Sequence, residues 1–251
     1  MPREEGRRER AAQALGITAH VYCDTFAHQM FTGFRHTVNR VTRLEHVNPA
    51  EGNVLDRIKS LVADELDLGH GGALTDPDLP YLEWKYVNGY GQERAVSNPQ
   101  LYMSAAPRLY SQFIYYLGRD KDTAMGAADL AALEKLVRGT VDTDAARRDG
   151  VWLNAIREGV FSFGKLTDEE YAGVQYVPFG EGSWKFAALG SVEEKEKAGE
   201  VFHYQPGFEA SDWKKFHDAL RDHQAMVLEE ILPEYGLPDS YDEAKGRGLG
   251  T

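Results

Sequence analysis

His20, Asp24 and His28 recur at four-residue intervals in the segment ITAHVYCDTFAHQMF. A four-residue step along an α-helix advances about 400°, so three such groups drift only about 80° around the axis. Two imidazoles and a carboxylate then climb one narrow stripe and can converge on one point. Neutral imidazole nitrogen and carboxylate oxygen are the donor set of zinc, with iron and manganese as alternatives. The competing account is a helix whose histidines are each satisfied by separate core hydrogen bonds. Burying three polar groups in a largely apolar run without partners is costly, which favours a metal. Cys23, the only cysteine, lies near the edge of the same stripe. It could be a soft fourth ligand, but free cysteine is more often a small buried hydrophobe.

The element that must carry this stripe reads as one long helix from Arg3 to about Met30, charged first and apolar later, with Gly33 as a place to stop. If the helix continued past Gly33, His36 would extend the stripe. A second helix is predicted over Pro49 to Leu66, where Val54, Ile58, Leu61, Val62 and Leu66 fall at helical spacing. The stretch GHGGALTDPDLP is then a loop. Its flanking glycines let the backbone approach another element closely, so His70 could reach a ligand, or could sit on an ordinary surface loop. Tyr81 to Val87 alternates and ends at Asn88-Gly89, which predicts a hairpin returning over Gln92 to Val96.

Asn98 is placed to cap a helix running to about Leu117, with Pro99 in its first turn and an apolar face of Leu101, Ala105, Leu109, Phe113 and Tyr116. Further helices fit Thr123 to Val137, Asp142 to Val160 and Asp212 to about Tyr235, whereas Leu166 to Val201 gives no assignable pattern. The expected fold class is mainly α: an irregular helical bundle with one small β-hairpin, a single domain over residues 1–235 and a flexible tail over 236–251.

The remaining histidines say less. His217 and His223 are six residues apart, roughly 240° around a helix, and cannot serve one ion from a straight helix. His223 falls on the apolar stripe of the last helix, where a hydrogen-bonded core residue is expected, and His203 lies in an aromatic loop. There is no glycine-rich phosphate loop and no nucleophile elbow. The chain carries 28 Lys and Arg against 40 Asp and Glu, a formal charge of −12. Such a surface repels phosphate backbones and anionic lipid, so nucleic acid and membrane are poor partners and a small-molecule substrate is favoured. The N-terminus MPREEGRRERAAQALG is too charged for a signal peptide, and no run approaches the roughly 18 apolar residues of a membrane helix. The expectation is a cytoplasmic protein; oligomeric state is not legible.

Two blocks, GITAHVYCDTFAHQMFTGF and LGHGGALTDPDLPYLEWKY, together resemble a bacterial family of unknown function. Its members share an H-x3-D-T-x2-H helix, a G-H loop and a P-D-x-P-x3-W segment. The resemblance covers roughly residues 10–90. It implies that His70, Asp78 and Trp84 belong with the helical stripe, His70 as a metal ligand and Asp78 as a catalytic group orienting a water or a ligating imidazole. The H-x3-D segment is also similar to that of zinc-dependent phospholipases C and related helical phosphoesterases, although only three residues separate Asp24 from His28, fewer than in the phospholipase signature. Members of the unknown family also carry an upstream segment with further His and Asp, which implies a truncated member lacking part of its ligand set.

The expectation is therefore a metal-dependent hydrolase acting on phosphoester bonds of a small molecule, with ligands His20, Asp24, His28 and His70. The alternatives are a non-catalytic metal-binding helical protein and a helical interaction protein with no metal.

Overall fold

A computed structural model describes residues 10–33, 35–47 and 69–237. The helix expected over Pro49 to Leu66 and residues 238–251 of the expected tail lie outside the described residues. Within them the chain divides into two compact units, residues 10–21 with 174–237, and residues 22–173. The fold is mainly α, as the periodicity indicates, with one small antiparallel sheet. Helix α1 spans Ala11–Ala27, so its last turns open the larger unit.

In that unit the sheet is a three-stranded meander, β1 (Val41–His46), β2 (Glu83–Asn88) and β3 (Glu93–Ser97), in the order β1-β2-β3. This corrects the single hairpin expected from sequence. The hairpin is present, but β1 adds a third strand on the other side of β2. Its pairing slips between Thr42 and Glu45, where Arg43 takes a left-handed φ of 51°. The resulting bulge breaks the two-residue alternation by which a strand is recognised. Strand β2 is central and turns Trp84, Tyr86 and Asn88 to its buried face. Trp84 and Tyr86 pack with Val41, Ala73, Leu79, Tyr81 and Leu82 as the core of the unit.

The β2–β3 turn is tight for a specific reason. Asn88 Oδ1 accepts from the amides of Tyr90 and Gln92, and a Cβ on Gly89 would stand 2.0 Å from the Thr37 carbonyl oxygen. Only glycine fits there without moving backbone.

Helix α2 (Asn98–Tyr116) follows β3 directly, and α3 (Ala127–Gly139) and α4 (Ala145–Arg157) complete the unit's main helices. Asp144 caps α4 by accepting from the Arg147 amide. Asn98 does not cap α2 as expected; its side chain is buried and bonded elsewhere. The inward face of α2 also differs from the apolar stripe read in sequence. Ala105 is buried as expected, but Phe113 and Tyr116 are exposed and Ile114 is buried in their stead.

A short helix, α5 (Asp168–Val174), closes the stretch. The smaller unit carries α6 (Trp184–Leu189) and α7 (Asp212–Met226). Helix α7 runs on through a π-helical turn, Val227–Ile231, to Leu232–Glu234, so the long helix expected from Asp212 is present with its hydrogen-bond pattern altered near the end. Ser183 and Ser211 cap α6 and α7 by accepting from the amides of Phe186 and Lys214. Within the same unit Arg10 is paired with Asp222, and Gln13 donates to Asp212 at 3.0 Å. Among the described residues no helix is long and apolar enough to cross a membrane.

Candidate metal centre

Three of the residues singled out in sequence meet in the larger unit. Ligand atoms of His28, His70 and Asp78 all lie within 4.8 Å of one another. His28 follows the last residue of α1, and its amide still donates to the Asp24 carbonyl at 2.8 Å, which fixes the start of the side chain. The chain then leaves the helical path, with Met30 at φ 77°. His70 precedes the short turn Gly71–Ala73, and Asp78 ends the turn Asp76–Asp78.

The His28 and His70 rings stack, with centroids 4.0 Å apart and planes inclined by 21°. His28 Nε2 lies 3.1 Å from Asp78 Oδ1. That contact can be a hydrogen bond with the proton on Nε2. It also suits one edge of a coordination shell, since two ligands about 2.1 Å from a tetrahedral ion are about 3.4 Å apart.

The second imidazole is oriented by the backbone. His70 Nδ1 stands 3.0 Å from the Leu74 carbonyl oxygen, and a carbonyl only accepts, so Nδ1 carries the proton. Nε2 is left as the lone-pair atom, the arrangement in which a backbone carbonyl fixes the tautomer of a metal-ligating histidine. Leu74 takes φ 54° and ψ −122° while its carbonyl makes this contact, a conformation that costs a non-glycine residue energy.

Asp78 is held by a buried scaffold beneath it. Trp84 Nε1–H donates to Asn98 Oδ1 at 3.0 Å, and Asn98 Nδ2 donates to the carbonyls of Asp76 (2.6 Å) and Leu79 (2.8 Å). Asn98 thus grips the loop on both sides of Asp78, and Trp84 orients Asn98. The Asp76 carboxylate, fully buried, pairs with His46 Nε2 at 2.9 Å, tying the same loop to β1. From the other side Tyr102 Oη donates to the Pro77 carbonyl at 3.3 Å.

Asp78 also lines a cavity of about 170 Å³ within the unit, together with Asp24, Cys23 and Tyr102. The rest of its wall is apolar and comes from α1 to α4, chiefly Phe26, Leu109, Leu133, Val137 and Trp152. Burial pushes the Tyr102 phenol up to about 12, helped by the negative charge of Asp78. Burial and then the neighbouring Asp24 carboxylate also raise the Cys23 thiol, so without a cation beside it Cys23 stays a thiol at neutral pH.

The sequence-predicted residues therefore separate. His28, His70 and Asp78 converge; Asp24 lines the adjoining cavity; His20 is exposed on α1, in the part of the chain assigned to the smaller unit. His36 does not continue the stripe. Its Nδ1 accepts from the Val38 amide and caps the short turn Thr37–Asn39. Two functional contributions were missed in sequence, the grip of Asn98 and the place of Tyr102. Both had a signal: a buried tryptophan N–H needs an acceptor, and Tyr102, Ala105, Ala106 and Leu109 fall at i, i+3, i+4 and i+7.

A mainly helical protein with a two-histidine, one-carboxylate cluster beside an apolar cavity is the class these features define. The chain belongs to a family of unknown function (DUF6765), whose profile matches residues 3–231 and so extends through both compact units. No curated protein and no solved structure gives a significant match.

Proposed function

We propose that His28, His70 and Asp78 hold one divalent ion, zinc in preference to iron or manganese, and that the protein is a metal-dependent hydrolase. The observation that carries the reading is the cluster itself: two imidazoles, one with its tautomer fixed by a carbonyl, and a carboxylate shared with a cavity. Three protein ligands are the number found in catalytic zinc sites, where the fourth position takes water or substrate. The ion supplies a water acidified towards neutral pH and a charge to neutralise an anionic substrate.

The chain's own residues do the rest. The Leu74 carbonyl keeps His70 in the ligating tautomer, and Asn98 and Trp84 keep Asp78 in place. Asp24, which lines the cavity together with Asp78, takes the proton of the attacking water. The cavity receives an apolar group of the substrate; about 150 Å³ of apolar space is enough for a benzene ring. The phosphoester class rests on the similarity of the H-x3-D segment to helical phosphoesterases. Attack of the water oxygen on phosphorus breaks the bond to the leaving alkoxide, which receives the proton that Asp24 took from the water and departs as the alcohol. The ligand set differs from the one expected from sequence: this reading uses neither His20 nor Asp24 as a ligand, and it takes Asp78, expected as the catalytic group, as the third.

The test is metal content by elemental mass spectrometry on untagged protein. About one ion per chain is expected in the wild type and in His20→Ala, with loss in His28→Ala and His70→Ala. Wild type that stays metal-free after incubation with zinc, iron or manganese would sink the reading. An ion held without any hydrolysis across a phosphoester screen would favour a structural ion joining the end of α1 to the His70 loop.

A further inference from the structure

The smaller unit contains a second cavity, of about 470 Å³, whose lining differs in kind from the first. Helix α7 contributes Trp213, Phe216 and His217 to it, at the i, i+3, i+4 spacing that puts them on one face. Helix α6 contributes Trp184, whose ring centre is 6.2 Å from that of Phe216 with the planes inclined by 53°. Tyr176 adds another ring, and Glu194 and Glu196 supply carboxylates. The face of an aromatic ring is its negative side and attracts a cation, and carboxylates beside the rings add to that field.

The chain's own cation is already provided for. Lys185 is 7% exposed, its Nζ lies 3.4 Å from Glu196 Oε1, and it donates to the Glu193 carbonyl at 3.3 Å. Its ammonium also stands 5.4 Å from the centre of the Phe202 ring. Lys185 thus lines the cavity with its charge already balanced by the Glu196 carboxylate, and the Phe202 ring lies against the same ammonium. Glu194 has no such cation; no ion pair to it is formed among the described residues. It leaves the cavity with one uncompensated negative charge beside several aromatic faces.

We propose that this cavity binds a small organic cation of the quaternary or N-methylated ammonium class. The methyl groups lie against Trp184, Trp213 and Phe216, and Glu194 balances the charge. Such cations are recognised by this combination because they are weakly hydrated, so ring faces and one carboxylate compensate for the water they lose. A neutral apolar ligand would use the rings but not Glu194. An anion would meet two carboxylates. The proposal does not depend on the metal centre, since every lining residue belongs to the smaller unit.

The test uses the full chain and tryptophan fluorescence, titrated with choline and with its neutral isostere dimethylbutanol, in which carbon replaces the ammonium nitrogen. Choline is expected to give a saturable change and to bind about tenfold or more tightly than the isostere. Glu194→Gln should weaken choline binding severalfold and leave the isostere unchanged. Trp213→Ala should weaken choline about tenfold, and Trp213→Phe, which keeps a ring face, should retain most of the binding. The phenylalanine variant keeps the experiment decisive if the alanine variant does not fold. Equal binding of the two ligands, an indifferent Glu194→Gln, or no saturable response to choline would each overturn the proposal.

Discussion

The two cavities are built on opposite plans. In the larger unit two of the three proposed ligands, His70 and Asp78, stand on a loop whose underside is dry. Trp84, Asn98 and Asp76 are each at most 1% exposed and are joined by hydrogen bonds, so Asp78 has little freedom. In the smaller unit the aromatic groups stand on helices capped at their N-termini by serines, and Tyr176 is 80% exposed with Trp184 at 45%. A site that must hold three ligand atoms in fixed geometry needs the first construction, because misplacement by an ångström forfeits coordination. A site that only offers ring faces to a diffuse charge tolerates the second, because cation–π attraction varies gently with position.

The sharpest way to break this contrast is Asn98→Ala. The change strips Trp84 N–H of its acceptor in a water-free place and leaves a small void where the amide was. The carbonyls of Asp76 and Leu79 each keep a backbone donor, the amides of Leu79 and Leu82, so they suffer less. The expected loss is roughly 3–4 kcal/mol of unfolding free energy in a urea titration. Metal affinity should fall about 10–100-fold, the usual cost of losing a group that supports a ligand. Choline binding in the smaller unit should be unaffected wherever the protein remains folded. A variant with wild-type stability would show that the Asn98 grip is incidental.

Chelation comes next in size. A ligand that binds only the folded state stabilises it by about 2.7 kcal/mol when present at a hundred times its dissociation constant. Removing the ion should therefore lower the thermal midpoint, and the same treatment of His70→Ala should do nothing further. If chelator shifts both proteins equally, the ion is bound elsewhere.

What the sequence could and could not reveal follows the same division. The residues that converge are legible one by one: His28, His70 and Asp78 are all candidates by type, and the loop carrying the last two is marked by its Gly, Asp and Pro. Their combination is not. Four-residue spacing assumes a helix through His28, but α1 ends at Ala27 and Met30 turns the chain with a positive φ. The ring of His28 therefore answers to the loop, not to the stripe. Strand β1 was hidden by its bulge, and Asn98 was read as a cap because Asn beside Pro at a helix start has that meaning locally. Only the packing of Trp84 gives its amide a different use. The arms of the hairpin and the long last helix were legible because each is set by local pattern alone.

Gly89→Ala probes the frame of the larger unit without touching the centre. Its new Cβ would meet the backbone of Thr37, an atom that cannot rotate away. A loss of about 2 kcal/mol is expected, in the range for forcing extra volume into a packed site, with metal stoichiometry retained. Loss of the ion in this variant would mean that the β2–β3 turn and the ligand loops are coupled more tightly than their separate contacts indicate.

The smallest effect should come from Ser211→Ala at the start of α7. The Ser211 hydroxyl donates to the Phe208 carbonyl at 2.6 Å, and its oxygen accepts from the Lys214 amide at 3.3 Å. Removing it leaves one helix-terminal amide to water and should cost about 1 kcal/mol, because the site is half open to solvent. Trp213 lies two residues further on, so fraying of the first turn should loosen the aromatic cavity and weaken choline binding alongside this small loss of stability. Metal content should not change at all. A variant that binds choline normally would place the rigidity of the cavity in the side of α7 that packs on α6, and not in its cap.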